Sequence, residues 1–183
     1  MFLFSKERVK FAGGNSIHLE RRWRQGKICV DVNTERNESS VNLDIPLLKS
    51  LVNEFRGVCI EVNGYGDCEK VLTDTAFALG SAFRKLYEKR KLRSFGISIV
   101  SDGSSVCSFA VSPKNPAEQS SMYVFGVSTK DFEEVVRFIE SFSYGMECCA
   151  RCVVILDKRT KNYSRLVFRG LYTALMDMLQ TIS

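Results

Sequence analysis

A chain of 183 residues with 45% apolar and 26% charged residues has the balance of an ordinary globular protein, one domain or two small halves sharing a core. That size buries a core without metal or disulfide staples. The net charge is +5, but the most visible basic run, Arg84 to Arg93, lacks the interleaved aromatics that single-strand nucleic-acid binders stack on bases, and reads as the solvated end of a helix.

Residues 1–26 are polar and basic, with no evident periodicity and an uncertain start. The apolar opening Met1-Phe2-Leu3-Phe4 is cut short by Lys6, Glu7, Arg8 and Lys10, so neither a secretion signal nor a membrane span is expected, and the expected location is cytoplasmic. Ile28, Val30 and Val32 alternate along 27–33, a half-buried strand, and 41–45 reads as a partner strand. Pro46 suits the first turn of a helix whose apolar stripe is Leu47, Leu48, Leu51, Val52 and Phe55, stopped by Gly57. A strand over 58–62 follows, ending at an Asn63-Gly64 turn, then a helix from about 73 to 89 with Ala76, Leu79, Gly80 and Phe83 on one face.

The spacing then predicts strands over 95–100 and 106–111 joined by the hairpin Ser101-Asp102-Gly103-Ser104, and a loop over 114–121. A helix over 129–142, a long apolar strand over 146–156, a basic turn over 157–162 and a last helix over 164–179 complete the chain. The order is strand, strand, helix, strand, helix, twice over. Val71 to Leu79 can be laid over Val167 to Leu175, each with an Ala-Leu at its end, which points to a duplicated unit. The expected fold is α+β, a two-layer sandwich made by internal duplication of a β-β-α-β-α half, in a single domain spanning 1–183 with halves at about 27–92 and 93–179.

Seven cysteines make an odd, scattered set, and a disulfide framework is not expected in a core-bearing chain of this size. Cys149 and Cys152 form a CxxC, which gives only two of the four ligands of a structural zinc, so Cys148, Cys149 and Cys152 read as a buried strand. Histidine occurs once, at His18. A multi-histidine metal site cannot be built within the chain, and a lone histidine is usually a polar surface residue.

Asp67-Cys68-Glu69-Lys70-Val71-Leu72-Thr73-Asp74-Thr75-Ala76-Phe77-Ala78-Leu79-Gly80-Ser81-Ala82-Phe83 resembles the imidazoleglycerol-phosphate dehydratase stretch D-x-H-H-T-V-E-D-T-A-I-A-L-G-x-A-F. The resemblance extends over about 27–179. It takes in Asp44 to Leu51, where the family reads G-I-G-F-F-D-H-M, and Arg165 to Leu175, where it reads H-H-I-V-E-A-x-F-K-A-L. It implies a monomer of two similar halves, a role related to histidine biosynthesis, and two manganese ions held by the H-H-x-x-E motifs at sites shared between subunits. Carried over position by position, the ligand positions are Ser50, Glu69, Lys70, Thr73, Arg165, Leu166 and Arg169. Only Glu69 could still bind a divalent cation, and Lys70, Arg165 and Arg169 repel one.

The family's activity is that of a manganese-dependent lyase. With those ligands replaced, the resemblance implies a chain that has lost the dehydratase activity, with no metal cofactor and no catalytic residue carried over. The expected role is a non-catalytic scaffold or subunit, either a homo-oligomer with trimer-type contacts or the partner of an intact paralogue. Two alternatives stand beside it. Glu69, Lys70, Arg165 and Arg169 could form a new metal-independent site where the ions sat, as an enzyme or a phosphorylated-metabolite binder with Arg93 and Lys114 as residual phosphate ligands. RNA binding is the weaker alternative, resting on the net charge and on the analogy of a sheet-plus-helix fold that RNA-binding proteins also use.

Overall fold

The computed structural model describes residues 6–11, 15–36, 38–88, 95–113, 119–126, 132–157, 160 and 162–179. In chain order the elements are β1 (Lys6–Phe11), β2 (Ser16–Trp23), β3 (Gly26–Asn33), β4 (Ser40–Asn42), α1 (Pro46–Glu54), β5 (Cys59–Tyr65) and α2 (Cys68–Tyr87). They continue as β6 (Gly96–Asp102), β7 (Ser105–Pro113), β8 (Ser121–Phe125), α3 (Glu133–Met146), β9 (Cys148–Ile155) and α4 (Tyr163–Leu179). The first sheet has the order β1-β2-β3-β5-β4 and the second β6-β7-β9-β8. Leaving out β1, the two orders are the same, so the α+β duplication is written in the topology as well as in the helix sequences.

Each β-β-α-β-α half carries one strand more than the sequence pattern shows. Setting β1 aside, the added strand is β2 in the first half and the edge strand β8 in the second, while the edge strands β4 and β8 pair parallel with β5 and β9. The segment around Val41 is therefore a strand, but its partner is β5 and not β3. Nor are residues 1–26 without periodicity: Ile17 and Leu19 are buried on alternate positions of β2. Asn63-Gly64 does not turn. β5 runs on through it to pair with β3, and Gly64 is needed there because a Cβ would sit 2.4 Å from the Lys27 carbonyl oxygen.

Within each half a sheet is covered by helices: α2 on β2 and β3, α1 on β4, α4 on β6 and β7, α3 on β9. The halves meet helix to helix, α2 along α3 and α1 along α4. The two-layer unit is thus present twice, with the helices inside and the sheets outside. The small-residue face of α2 permits the closest crossing. A Cβ on Gly80 would lie 2.1 Å from the Phe142 carbonyl oxygen, and one on Gly145 would lie 2.1 Å from that of Phe77. A chain of rings ties the four helices together, Phe55 to Phe83 (5.6 Å), Phe83 to Phe142 (6.1 Å), Phe138 to Phe168 (5.2 Å) and Phe55 to Tyr172 (5.0 Å). One continuous apolar cluster runs through both halves.

Two helix ends differ from the sequence pattern. Helix α2 starts at Cys68, one turn earlier than the apolar stripe suggests, because the Asp67 carboxylate accepts from the Lys70 amide at 3.1 Å and caps it. Helix α3 runs on to Met146, where Glu147 takes the left-handed conformation (φ 53°) that ends it. The cysteines of β9 are buried as expected. Cys149 donates to the Gln119 carbonyl, and Cys152 lies 3.6 Å from Cys107, a contact that together with burial pushes its thiol far above the usual range. No helix among the described residues is long and apolar enough to cross a membrane.

Candidate functional site

The seven positions singled out from the sequence fall into two places. Glu69, Lys70 and Thr73 sit in the first turns of α2, beside α3 and β2; Ser50, Arg165, Leu166 and Arg169 sit at α1 and the start of α4, beside β6. Among the described residues no hydrogen bond or ion pair joins the two sets. Within one chain Glu69 and Lys70 therefore lie apart from Arg165 and Arg169. The reason is topological, since α2 packs on α3 while α4 packs on α1. Arg93 and Lys114 lie outside the described residues.

In the first place, the charges are tied down. Asp74, 5% exposed at its side chain, receives the Lys70 ammonium at 2.8 Å and the Arg21 guanidinium at 2.9 Å. The Arg21 guanidinium also lies 4.0 Å from the centre of the Phe77 ring, and the Lys70 ammonium 5.7 Å from that of Trp23. A buried carboxylate is tolerable only with such partners. Glu69 is exposed and pairs at 2.5 Å with Arg137 of α3, while the Thr73 hydroxyl donates to the carbonyls of Glu69 and Lys70 in its own helix, both at 3.1 Å.

The second place repeats the device with different residues. The Glu54 side chain is 2% exposed and accepts from Arg165 Nε at 2.5 Å, which raises the guanidinium pKa further. Arg169 donates to the Ser101 carbonyl at 2.6 Å, and the Ser50 and Ser164 hydroxyls are 3.4 Å apart. Leu166 is buried hydrocarbon. Among the described residues, neither place brings together three ligand atoms of His, Cys, Asp or Glu. Glu69, the one carboxylate among these seven residues, already faces a cation.

A third constellation escaped the sequence reading. On the outer face of the first sheet, His18 Nδ1 lies 2.6 Å from Asp31 Oδ1, a neighbour directly across from β2 to β3. Two residues on, Glu20 faces Cys29, whose thiol donates to Glu20 Oε2 at 3.8 Å. Arg22 at 2.5 Å and Lys27 at 2.9 Å also hold Glu20, and their hydrogen bonds, Arg22's first, lower its carboxyl to about 2. The Lys27 ammonium is raised in return, and burial pushes the Cys29 thiol up. A cleft of about 240 Å³ lined by Asp31, Cys59 and Glu61 adjoins this group. The available signal was the apolar pair Ile17 and Leu19, whose alternation turns His18 and Glu20 to the opposite face.

No protein-family model matches the chain, and no curated protein matches it by sequence. Solved structures do match. Imidazoleglycerol-phosphate dehydratase from Staphylococcus aureus subsp. aureus N315 superposes with a TM-score of 0.70 at 15% identity, over 85% of this chain and 94% of that one. The chain has the imidazoleglycerol-phosphate dehydratase fold. The enzyme from Pyrococcus furiosus, solved in complex with (S)-C348, superposes with a TM-score of 0.69 at 17% identity, over 90% of this chain and 94% of that one. The two superpositions thus take in 85% and 90% of the chain.

Proposed function

We propose that this chain is a divergent relative of imidazoleglycerol-phosphate dehydratase that no longer performs the dehydration and serves as a non-catalytic subunit. One observation carries the reading: at the two helix ends, the residues that the resemblance matches to the family's ligands form ion pairs built on buried carboxylates, Lys70 with Asp74 and Arg165 with Glu54. A manganese ion needs imidazole and carboxylate lone pairs converging on it. A lysine, two arginines, a leucine and two hydroxyls in place of those donors do not fit it. The test is water elimination from imidazoleglycerol phosphate by pure protein with manganese added. No turnover above the uncatalysed rate is expected; manganese-dependent turnover lost in Glu69→Gln would overturn the reading.

The subunit role draws support from the outer face of the second sheet. Ile97 and Ile99 of β6, Tyr123 and Phe125 of β8, and Val153 and Ile155 of β9 share that face and are all exposed. A contiguous apolar face of this kind marks a contact surface. We assign it to a second copy of this chain. The other sheet face such a copy could offer is charged with His18, Glu20, Asp31 and Lys27, so only the same apolar face is a match.

A further inference from the structure

We propose that the outer face of the first sheet binds a divalent cation of the zinc class through His18, Glu20 and Cys29, with Asp31 as the positioning residue for His18. A ring nitrogen of His18, the sulfur of Cys29 and a carboxylate oxygen of Glu20 lie within 4.8 Å of one another. They come from two adjacent strands, held in register by the ladder that pairs His18 with Asp31 and Glu20 with Cys29.

The donor types select the ion. Nitrogen, sulfur and oxygen together suit a borderline metal such as zinc, and suit calcium or magnesium poorly. The spacing agrees. Zinc bonds of about 2.3 Å to sulfur and about 2.1 Å to oxygen at a tetrahedral angle put those two atoms about 3.6 Å apart, and Cys29 Sγ and Glu20 Oε2 are 3.8 Å apart. The ion would take the place of the proton that the thiol now gives to Glu20, and that proton would leave to solvent. The half-exposed Lys27 ammonium, on Glu20 Oε2 at 2.9 Å, would swing away, while Arg22 keeps its bond to Oε1.

Asp31 supplies the argument that separates this group from an ordinary polar sheet face. A carboxylate can only accept, so His18 Nδ1 carries the proton in the 2.6 Å contact, and in the neutral ring the lone pair is then on Nε2. This is how second-sphere carboxylates prepare a histidine for a metal. Three protein ligands leave a fourth position open to solvent, the arrangement of an accessible site rather than a closed structural one.

The full-length chain dialysed against zinc alone should take up one ion per chain. His18→Ala and Cys29→Ser should each weaken uptake by at least about tenfold, and Asp31→Asn by about 10- to 100-fold. Cobalt in place of zinc should give a sulfur-to-metal charge-transfer band that Cys29→Ser abolishes. Glu20→Gln, nearly isosteric, provides a second variant should His18→Ala lose the fold by circular dichroism. Failure of the wild type to take up zinc would overturn the proposal. So would uptake unchanged in Cys29→Ser, which would place the ion on another thiol, such as the exposed Cys68. Glu69→Gln should leave zinc uptake unchanged, so the result is independent of the reading of the helix ends.

Discussion

The inner faces of the two sheets follow one recipe and their outer faces follow two. Inward, Ile28, Val30 and Val32 of β3 and Cys107, Phe109 and Val111 of β7 are all buried against helices. Outward, the first sheet shows His18, Glu20, Asp31 and Lys27, while the second shows Ile99, Val153, Tyr123 and Phe125. Packing against the shared helical interior constrains the first kind of position, because a core tolerates only apolar side chains of the right volume. The solvent-facing positions carry no such constraint, so each half could take a separate role there: a polar group of metal-binding donors on one, an apolar contact surface on the other.

If the helical interior makes the two halves one cooperative unit, damaging it should unfold both together. Phe142 of α3 contacts Phe83 across the α2–α3 crossing and Phe138 in its own helix, and is fully buried, so Phe142→Ala should cost about 3–5 kcal/mol. Urea unfolding followed by Trp23 fluorescence and by far-ultraviolet circular dichroism should give coincident transitions, and separate ones would break the link between halves. Next in size, Asp74→Ala should cost about 3 kcal/mol by stranding Lys70 and Arg21 at a largely buried position, measured by the same unfolding.

The outer faces should respond differently. Ile99→Lys and Tyr123→Lys should leave chain stability within about 0.5 kcal/mol and shift the protein toward the monomer by light scattering. An unchanged assembly would remove the second sheet's role as the contact between copies. The smallest effect concerns pH. Glu20 is held at about 2, against a usual 4.5, by Arg22 and Lys27, so it adds stability above pH 4.5 that fades as pH falls toward 2. The stability gap between wild type and Glu20→Gln should therefore close over that range in acid unfolding curves.

Much of this architecture was legible because helices announce themselves by apolar spacing: Leu47, Leu48 and Leu51 placed α1, and the matching Ala-Leu pairs of α2 and α4 exposed the duplication. The first turn of α2 was hidden because Cys68, Glu69 and Lys70 are all polar or small, and only the Asp67 cap betrays it. Strand β2 was missed because two buried positions, Ile17 and Leu19, sit among charged neighbours. The positions that the resemblance matches to the family's ligands could be named from the sequence. Asp74, one helical turn from Lys70, was within reach of the sequence, but Arg21 on Asp74 and Glu54 on Arg165 meet only through tertiary packing. The His18–Asp31 and Glu20–Cys29 contacts likewise need the strand register that the sequence left open.

The claim on which the rest depends is that the helix ends no longer hold manganese, and the direct measurement is the electron paramagnetic resonance signal of free manganese titrated with pure protein. The expected result is a six-line signal undiminished by Glu69, Lys70 and Arg165 as they stand, and equally so in Glu69→Gln. A signal that falls with added wild-type protein and recovers in Glu69→Gln would contradict it.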